Sequence, residues 1–442
     1  MFLGRTSKMK KTLSRLATSA AASTMMLSSV GVGAIVALPT AAVADSHANV
    51  CSEPVQILAQ PRDGLTLLED YVDEFEALSG VPFQIDYLNE GDRRAKSQAD
   101  ASTIGKYNVY YVDEANLALF ASSGWIAPLM DHYPAEYDYA DFDPGRIATA
   151  TYDGTVYFAP ILGGGDLMVY RKDLLEAAGI EVPTTLEELK TAVAALHDPD
   201  NGIYGIGLRG RRGSGDNVWR WMPYFKGMGG EWFVDGVPAM NSEAAINATE
   251  TYLELFEYSA PGTQTGSWDE STGAFRAGQI AILIESAPLG GIALDRSQSQ
   301  VADLIGFARP PSPLTGGGFG HGFAIGTKAN ADDAALDCAG LWTAWATSKE
   351  NEARRLEAGQ SSELNRISIF GSDAFAATFG TELPAALADT ANVTAVNFWQ
   401  DPRWPELGGQ WGIILEELIV GSRDDVPAAL AELEAFATKL VE

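Results

Sequence analysis

Three consecutive glycines, Gly163–Gly165, follow a strand-like run and precede a basic, helix-like segment in "APILGGGDLMVYRKDLL". Such a run could cradle a phosphate if the glycines opened a helix, whose N-terminal N–H groups hold the anion. Here "TVYFAP" before the glycines and "LMVY" after them both read as strands. The run also lacks a Gly-Lys-Ser/Thr ending and the GxGxxG spacing. The nucleotide reading fails, and Gly163–Gly165 read as a flexible joint between two strands.

Other residue types narrow the chemistry further. The four histidines, His47, His132, His197 and His321, lie outside metal-ligand spacing of one another and of either cysteine, so no metal site is expected. There is no Gly-x-Ser-x-Gly elbow. Adjacent carboxylates, Asp113-Glu114 and Asp269-Glu270, have the chemistry of a glycoside hydrolase pair. With 59 acidic residues such neighbours arise by chance, and the chain reads as no enzyme. Trp219, Trp221 and Trp232 fall within fourteen residues, Trp268 opens "SWDESTGAFRAG", and Trp399, Trp404 and Trp411 gather near the end. Most such rings fill cores. In the mixed, loop-like contexts "GDNVW" and "GSWDE", however, an indole could stack on the apolar face of a sugar while neighbours bind its hydroxyls. Arg209, Arg211, Arg212 and Arg220 crowd into twelve residues, either balancing nearby acids or capturing an anionic ligand.

The elements that must position these residues alternate. "VQILAQ" reads as a strand, and Leu65, Leu68, Tyr71, Val72, Phe75 and Leu78 follow at helical spacing, closed by Ser79-Gly80. "VPFQIDYL" alternates as a strand, "DRRAKSQADASTIG" is a polar helix, "YNVYYVD" a strand and "EANLALFASSGW" a helix. This pattern predicts an open parallel sheet with helices on both faces. Further on, "TTLEELKTAVAALH" opens with a capping box, Thr184 with Glu187 or Thr185 with Glu188. "YGIGLRG", "QIAILIES", "LIGFARPP" and "GHGFAIGT" read as strands, and only helices are expected from about Lys349 onward.

Bulk properties set outer bounds. A chain of 442 residues with 46% hydrophobic and 20% charged content is globular and long enough for two or three cores. Arg5, Lys8, Lys10, Lys11 and Arg15 head a mostly apolar run that ends in Pro39 and Ala42-Val43-Ala44, the pattern of a secretory signal peptide over 1–44. Its removal takes away five basic residues and no acidic ones, moving the net charge from −29 to −34. That acidity opposes nucleic acid and anionic membrane surfaces. Cys51 and Cys338 allow one long-range disulfide or two buried thiols.

Several stretches taken in order resemble the extracellular solute-binding proteins of ABC sugar importers, the maltose-binding-protein-like family 1. "YDGTVYFAPILGGGDLMVYRKDLLEAAGIEVPTTLEEL" is similar to the segment that defines that family. "SGWIAPL", "FRAGQIAILIES" and "GHGFAIGTKANADDAALDCAGLWTAWATS" resemble its other motifs, and "GDNVWRWMPYFKGMGGEWF" points to the sugar-alcohol and monosaccharide branch. The resemblance implies two α/β lobes joined by hinge strands, with ligand in the cleft between them. Carried over, lobe one takes 45–159 and 309–362, and lobe two takes 160–308 and 363–442. The glycine run then falls at the first crossing, where a hinge absorbs backbone rotation. Cys51 and Cys338 would share lobe one, where a disulfide would contribute about 4–5 kcal/mol of chain entropy.

The same resemblance implies a periplasmic, monomeric protein without cofactor that captures a small sugar or polyol and delivers it to a membrane permease. The implied ligand-binding positions are Arg62, Asp63, Glu90, Asp113, Glu114, Asp166, Asn217, Trp219, Trp268, Glu285, His321 and Arg366. The alternatives are a binding protein for a sugar acid or phosphorylated polyol, held by the arginine cluster, and a secreted glycoside hydrolase. One departure stands out: His321 occupies a place where relatives often carry Trp.

Overall fold

Short strands set the geometry: Val109–Asp113 ends in an acidic residue and hands the chain directly to a helix, and Phe158–Gly164 hands it to a strand of another sheet. The computed structural model describes residues 50–442 apart from 63, 214, 328–331 and 360–363. The expected signal peptide, His47 and Asp63 lie outside the described residues. Nine strands build the two main sheets: β1 Val55–Ala59, β2 Phe83–Tyr87, β3 Val109–Asp113, β4 Phe158–Gly164, β5 Asp166–Arg171, β6 Tyr204–Gly207, β7 Ile280–Ser286, β8 Ile305–Ala308 and β9 Phe319–Ile325.

The first sheet has the order β2-β1-β3-β9-β4 and the second the order β8-β5-β7-β6. β1 runs parallel to β2 and β3, as the strand–helix alternation predicts. The sheets as wholes are mixed, not parallel: β9 is antiparallel to β3 and β4, and β5 is antiparallel to β7 and β8. β9 reaches the first sheet from far along the chain, so no short crossover helix dictates its direction.

Local signals hold. The helix Val72–Ser79 ends at Gly80, whose φ of 86° is the left-handed cap that glycine adopts without a Cβ penalty. Of the two capping boxes, the structure forms Thr185 with Glu188. Beyond Lys349 the described residues hold helices and no strand. The contexts "GDNVW" and "GSWDE" are helix starts instead of loops, with helices Asn217–Gly227 and Trp268–Arg276 beginning there.

The glycine run makes the crossing between sheets. β4 ends at Gly164 in the first sheet, β5 begins at Asp166 in the second, and Gly165 alone separates them. Close packing demands these glycines: a Cβ on Gly163 would come within 2.8 Å of the Phe319 carbonyl, and one on Gly165 within 2.7 Å of the Gly316 carbonyl. The return segment touches the same point, where the Asp166 N–H donates to the Gly316 carbonyl at 2.5 Å.

Burial assigns most tryptophans to cores. Trp221, Trp232, Trp404 and Trp411 interlock, with ring centroids of Trp221–Trp411 at 5.1 Å and Trp232–Trp404 at 5.0 Å. Beside the first sheet, Phe75, Phe83, Trp342 and Trp345 pack together, and Cys51 and Cys338 are joined as a disulfide. No helix of the described residues is long and apolar enough to cross a membrane.

Candidate functional site

The candidate site is built on strand ends. β3 closes with Asp113, which begins the helix Glu114–Ser122, so two consecutive carboxylates sit where strand turns into helix. Asn89 caps the helix Glu90–Ser102 by accepting from Asp92 N–H at 3.0 Å, which puts Glu90 in the first turn and Arg94 one turn along the same face. His321 pairs with Asp113 across β9 and β3, and Phe319 lies two residues away on the same face. From the second sheet and its helices come Arg209, Gly215, Trp219, Ser286 and Pro288. Together with Arg62, Ala115 and Asn116 these residues bound one cavity, of which about 40 Å³ is open, room for roughly three waters.

Charge dominates its wall. Asp113 accepts from Arg93 Nη2 at 2.7 and 2.9 Å and from Arg94 Nε at 2.6 Å. Burial alone would raise its pKa, but Arg93 and Arg94 outweigh that and hold it well below the ordinary carboxylate range. Glu90 lies 2.7 Å from Arg94 Nη2 and 3.7 Å from Arg62 Nη2. Burial opposes its ionisation too, yet the surrounding guanidiniums carry it down to about 2. Glu114 behaves oppositely: burial, reinforced by the adjacent Asp113 charge, pushes it up to about 8, and its Oε2 accepts from Gly320 N–H at 2.8 Å. At neutral pH Glu114 therefore carries a proton. Burial drives His321 down to about 3, so its ring is neutral. Ionised Asp113 faces Nε2 of His321 at 3.4 Å, which places the ring proton there and leaves Nδ1 to accept from the Tyr111 hydroxyl at 2.7 Å.

Six of the implied residues meet on this cavity: Arg62, Glu90, Asp113, Glu114, Trp219 and His321. Glu285 and Asp166 lie behind the wall in a buried ion chain. Arg209 grips Glu285 at 2.6 and 2.7 Å, Arg220 lies 3.2 Å from Glu285, and Arg220 donates to Asp166 at 2.8 Å. This chain runs from the cavity to the first residue after the glycine crossing. Burial, only partly offset by Arg220, lifts Asp166 to about 6. Trp268 carries the guanidiniums of Arg62 and Arg209 at 5.6 and 5.4 Å from its ring centroid, so its indole supports these arginines and does not line the cavity. Asn217 is fully buried and ties Gly210 to Gly412 through its amide, at 3.2 and 2.9 Å. Arg366 does not line this cavity and is spent on carbonyls of Thr347, Asp138 and Tyr137 at 2.8–3.0 Å.

The arginine cluster is neutralised. Arg209 pairs with Glu285, Arg211 with Asp216 at 3.0 Å, Arg212 with Glu416 at 2.8 Å, and Arg220 with Asp166. Sequence reasoning missed Arg94, Asn116, Ser286 and Phe319 as cavity residues. Arg94 is one helical turn from Glu90, and Phe319 is two strand residues from His321, so spacing from an assigned neighbour would have found both.

The profile of the bacterial extracellular solute-binding proteins matches residues 59–353. The chain belongs to that family. A mannitol-binding protein from Pseudomonas aeruginosa is 31% identical over 282 residues, 59% of this chain and 61% of that relative. The match thus spans about three-fifths of the relative's length. A solute-binding protein of an ABC transporter from Agrobacterium radiobacter, solved in complex with ribitol, superposes with a TM-score of 0.80 at 25% identity, covering 89% of this chain and 100% of the other. One from Agrobacterium vitis with bound D-mannitol gives 0.79 at 23% identity, covering 88% and 98%. The resemblance carried by the sequence motifs and the two-lobed fold it implied are both borne out. In this solute-binding protein the cavity lies between the two main sheets, with residues of both on its wall.

Proposed function

We propose that this chain is the substrate-capturing component of a bacterial ABC importer, taking a small polyol or sugar in the periplasm and delivering it to membrane permease subunits. The observation that carries this is the cavity wall, where the guanidiniums of Arg62, Arg94 and Arg209 alternate with the carboxyls of Glu90, Asp113 and Glu114. A polyol hydroxyl both donates and accepts, so it satisfies such a wall from either side. Guanidiniums and the protonated Glu114 donate to it, Glu90 and Asp113 accept, and Trp219 with Phe319 contacts its C–H faces. The mannitol- and ribitol-binding relatives support the same ligand class.

The wall has two origins. Arg62, Glu90, Arg94, Asp113 and His321 belong to the first sheet and its helices, and Arg209, Trp219 and Ser286 to the second. With only about 40 Å³ open, a polyol enters when the lobes part and is held when they close. In this reading the lobes are 45–159 with 309–362 and 160–308 with 363–442, β4 carries the chain across, residues 1–44 are cleaved on export, and the mature protein works as a monomer.

An anionic ligand is the weaker reading, because each arginine of the 209–220 cluster already has a carboxylate partner. Hydrolysis is weaker still. Asp113 and Glu114 titrate apart as a catalytic pair does, but Asp113 is immobilised by two arginines.

Thermal shifts of residues 45–442 against mannitol, ribitol, neutral sugars, sugar acids and phosphorylated polyols test the proposal. Ligand at roughly a thousand times its dissociation constant adds about 4 kcal/mol, which raises Tm by a few degrees. A shift only with acids would overturn the neutral-ligand reading, and turnover of a chromogenic glycoside would make the protein an enzyme. Trp219→Ala is expected to weaken binding by about 1.5 kcal/mol or more, checked by calorimetry.

A further inference from the structure

Two arginines from the first sheet's side reach across to the second. Arg62 follows β1, and its guanidinium carbon lies 5.6 Å from the centroid of the Trp268 indole. Trp268 opens a helix that packs on β6 and β7 of the second sheet. The same ring carries Arg209 at 5.4 Å, which β7 holds through Glu285 at 2.6 and 2.7 Å. The ring's quadrupole attracts a guanidinium placed over it, more so when both are desolvated, and Trp268 is only 8% exposed. Arg94 makes the second crossing. Its helix, Glu90–Ser102, packs on β1 and β3, and Asp113 and Glu90 pin its guanidinium at 2.6 and 2.7 Å. Gly215 fits against that guanidinium so closely that a Cβ there would collide with it. The Gly215 carbonyl accepts from Arg209 Nη1 at 3.2 Å, which ties this backbone to the second sheet.

Charge is complementary across the same gap. Burial opposes ionisation of Glu90, but Arg94, Arg62 and, from the second sheet, Arg209 outweigh it. Trp268 is absent from the cavity wall, whereas Arg62 lines it. The indole is therefore committed to the protein's own guanidiniums, and Arg62 stands between that ring and the cavity.

We propose that Trp268 is a latch: by receiving Arg62 on its ring, and with Arg94 seated against Gly215, it keeps the cleft shut for part of the time before any ligand arrives. The latch rests on the two-lobed, opening cleft of the proposed function. Parting the lobes withdraws Arg62 from Trp268 and Arg94 from Gly215. The Arg209–Trp268 and Arg62–Glu90 contacts each stay within one lobe and survive opening. The contacts across the cleft alone therefore bias closing against opening. Affinity follows, because the apparent dissociation constant is the intrinsic one divided by the fraction of molecules in the competent state. Trp268 is thus a positioning residue, which sets affinity without touching the ligand.

X-ray scattering of the purified protein without ligand tests the latch. Trp268→Leu removes the π face and should raise the radius of gyration above the wild-type value at unchanged far-UV circular dichroism. Gly215→Ala, which places a methyl where the pinned Arg94 guanidinium lies, should raise it too. Trp268→Phe keeps a π face and should stay nearer wild type. A wild-type radius of gyration in Trp268→Leu overturns the latch, and so does Trp268→Phe opening as far as Trp268→Leu. If Trp268→Leu fails to fold, Arg62→Gln decides the matter, since it removes the cation from the same contact and leaves the ring in place. Mannitol, where it binds, should bind Trp268→Leu several-fold more weakly in calorimetry, and equal affinity overturns the latch. Failure of mannitol and every other polyol to bind would sink the transport reading while leaving the scattering test intact.

Discussion

Glu114 and Asp113 are neighbours in sequence, yet the fold pushes their protons in opposite directions. Asp113 faces two guanidiniums, whereas Glu114 faces a backbone N–H and its neighbour's negative charge. Because Glu114 rises from 4.5 to about 8, the folded chain holds a proton across that window that the unfolded chain has released. Stability therefore falls as pH rises through the window and levels off above about 8. Glu114→Gln should remove that slope, so that Tm measured at several pH values favours the variant increasingly from acid to mild alkali. If Glu114 donates to the ligand, wild-type affinity also declines above about 8, while the Gln variant's stays flat. A second residue-scale prediction concerns the buried pair Arg209–Glu285, both side chains at most 5% exposed. Arg209→Met strands part of a buried carboxylate and is expected to cost about 3–5 kcal/mol in urea unfolding. Arg209→Met with Glu285→Leu should recover a good share of it. The types of these residues were legible in the sequence. Their partners were not, since Arg209 and Glu285 lie 76 positions apart.

At the scale of elements, the crossing is the most constrained feature. Gly163–Gly165 carry the chain from one sheet to the other, and close packing demands glycine there. The Phe319 and Gly316 carbonyls press on two of these positions, and Gly164 holds a φ of 148°. Gly165→Ala should destabilise the fold by about 1–3 kcal/mol through overpacking, seen as a lower Tm, and should alter ligand affinity because it displaces the Asp166–Gly316 contact. Most element boundaries were legible because they depend on short-range chemistry: the Thr185–Glu188 capping box, the Gly80 cap and the period-two pattern of "VPFQIDYL". Strand direction was less so. Whether β9 runs parallel or antiparallel depends on where the chain returns from, which no local pattern encodes.

At the scale of the molecule, the disulfide closes a separation of 287 residues within the first sheet's surroundings. Replacing Cys51 and Cys338 together by Ala should remove about 4–5 kcal/mol on the chain-entropy argument, measured by the urea midpoint under oxidising conditions. Loss of ligand binding at unchanged Tm would contradict a purely structural bond. The acidic surface sets no fold but keeps the protein away from polyanions.

The sequence alone determined the family, through motifs in a fixed order, and with it the two-lobed α/β fold. It also determined most helices and strands, because periodicity and capping act over a few residues. The tertiary structure decided which of those residues meet. Trp221 and Trp411, 190 positions apart, became core, and Trp268 became a support for two guanidiniums. The arginine cluster met acids drawn from as far as Glu416, and Arg366, outside the cavity of Asp113 and Trp219, donates to backbone carbonyls. Burial and ion pairing depend on which distant segments pack together, and residue spacing carries no record of that.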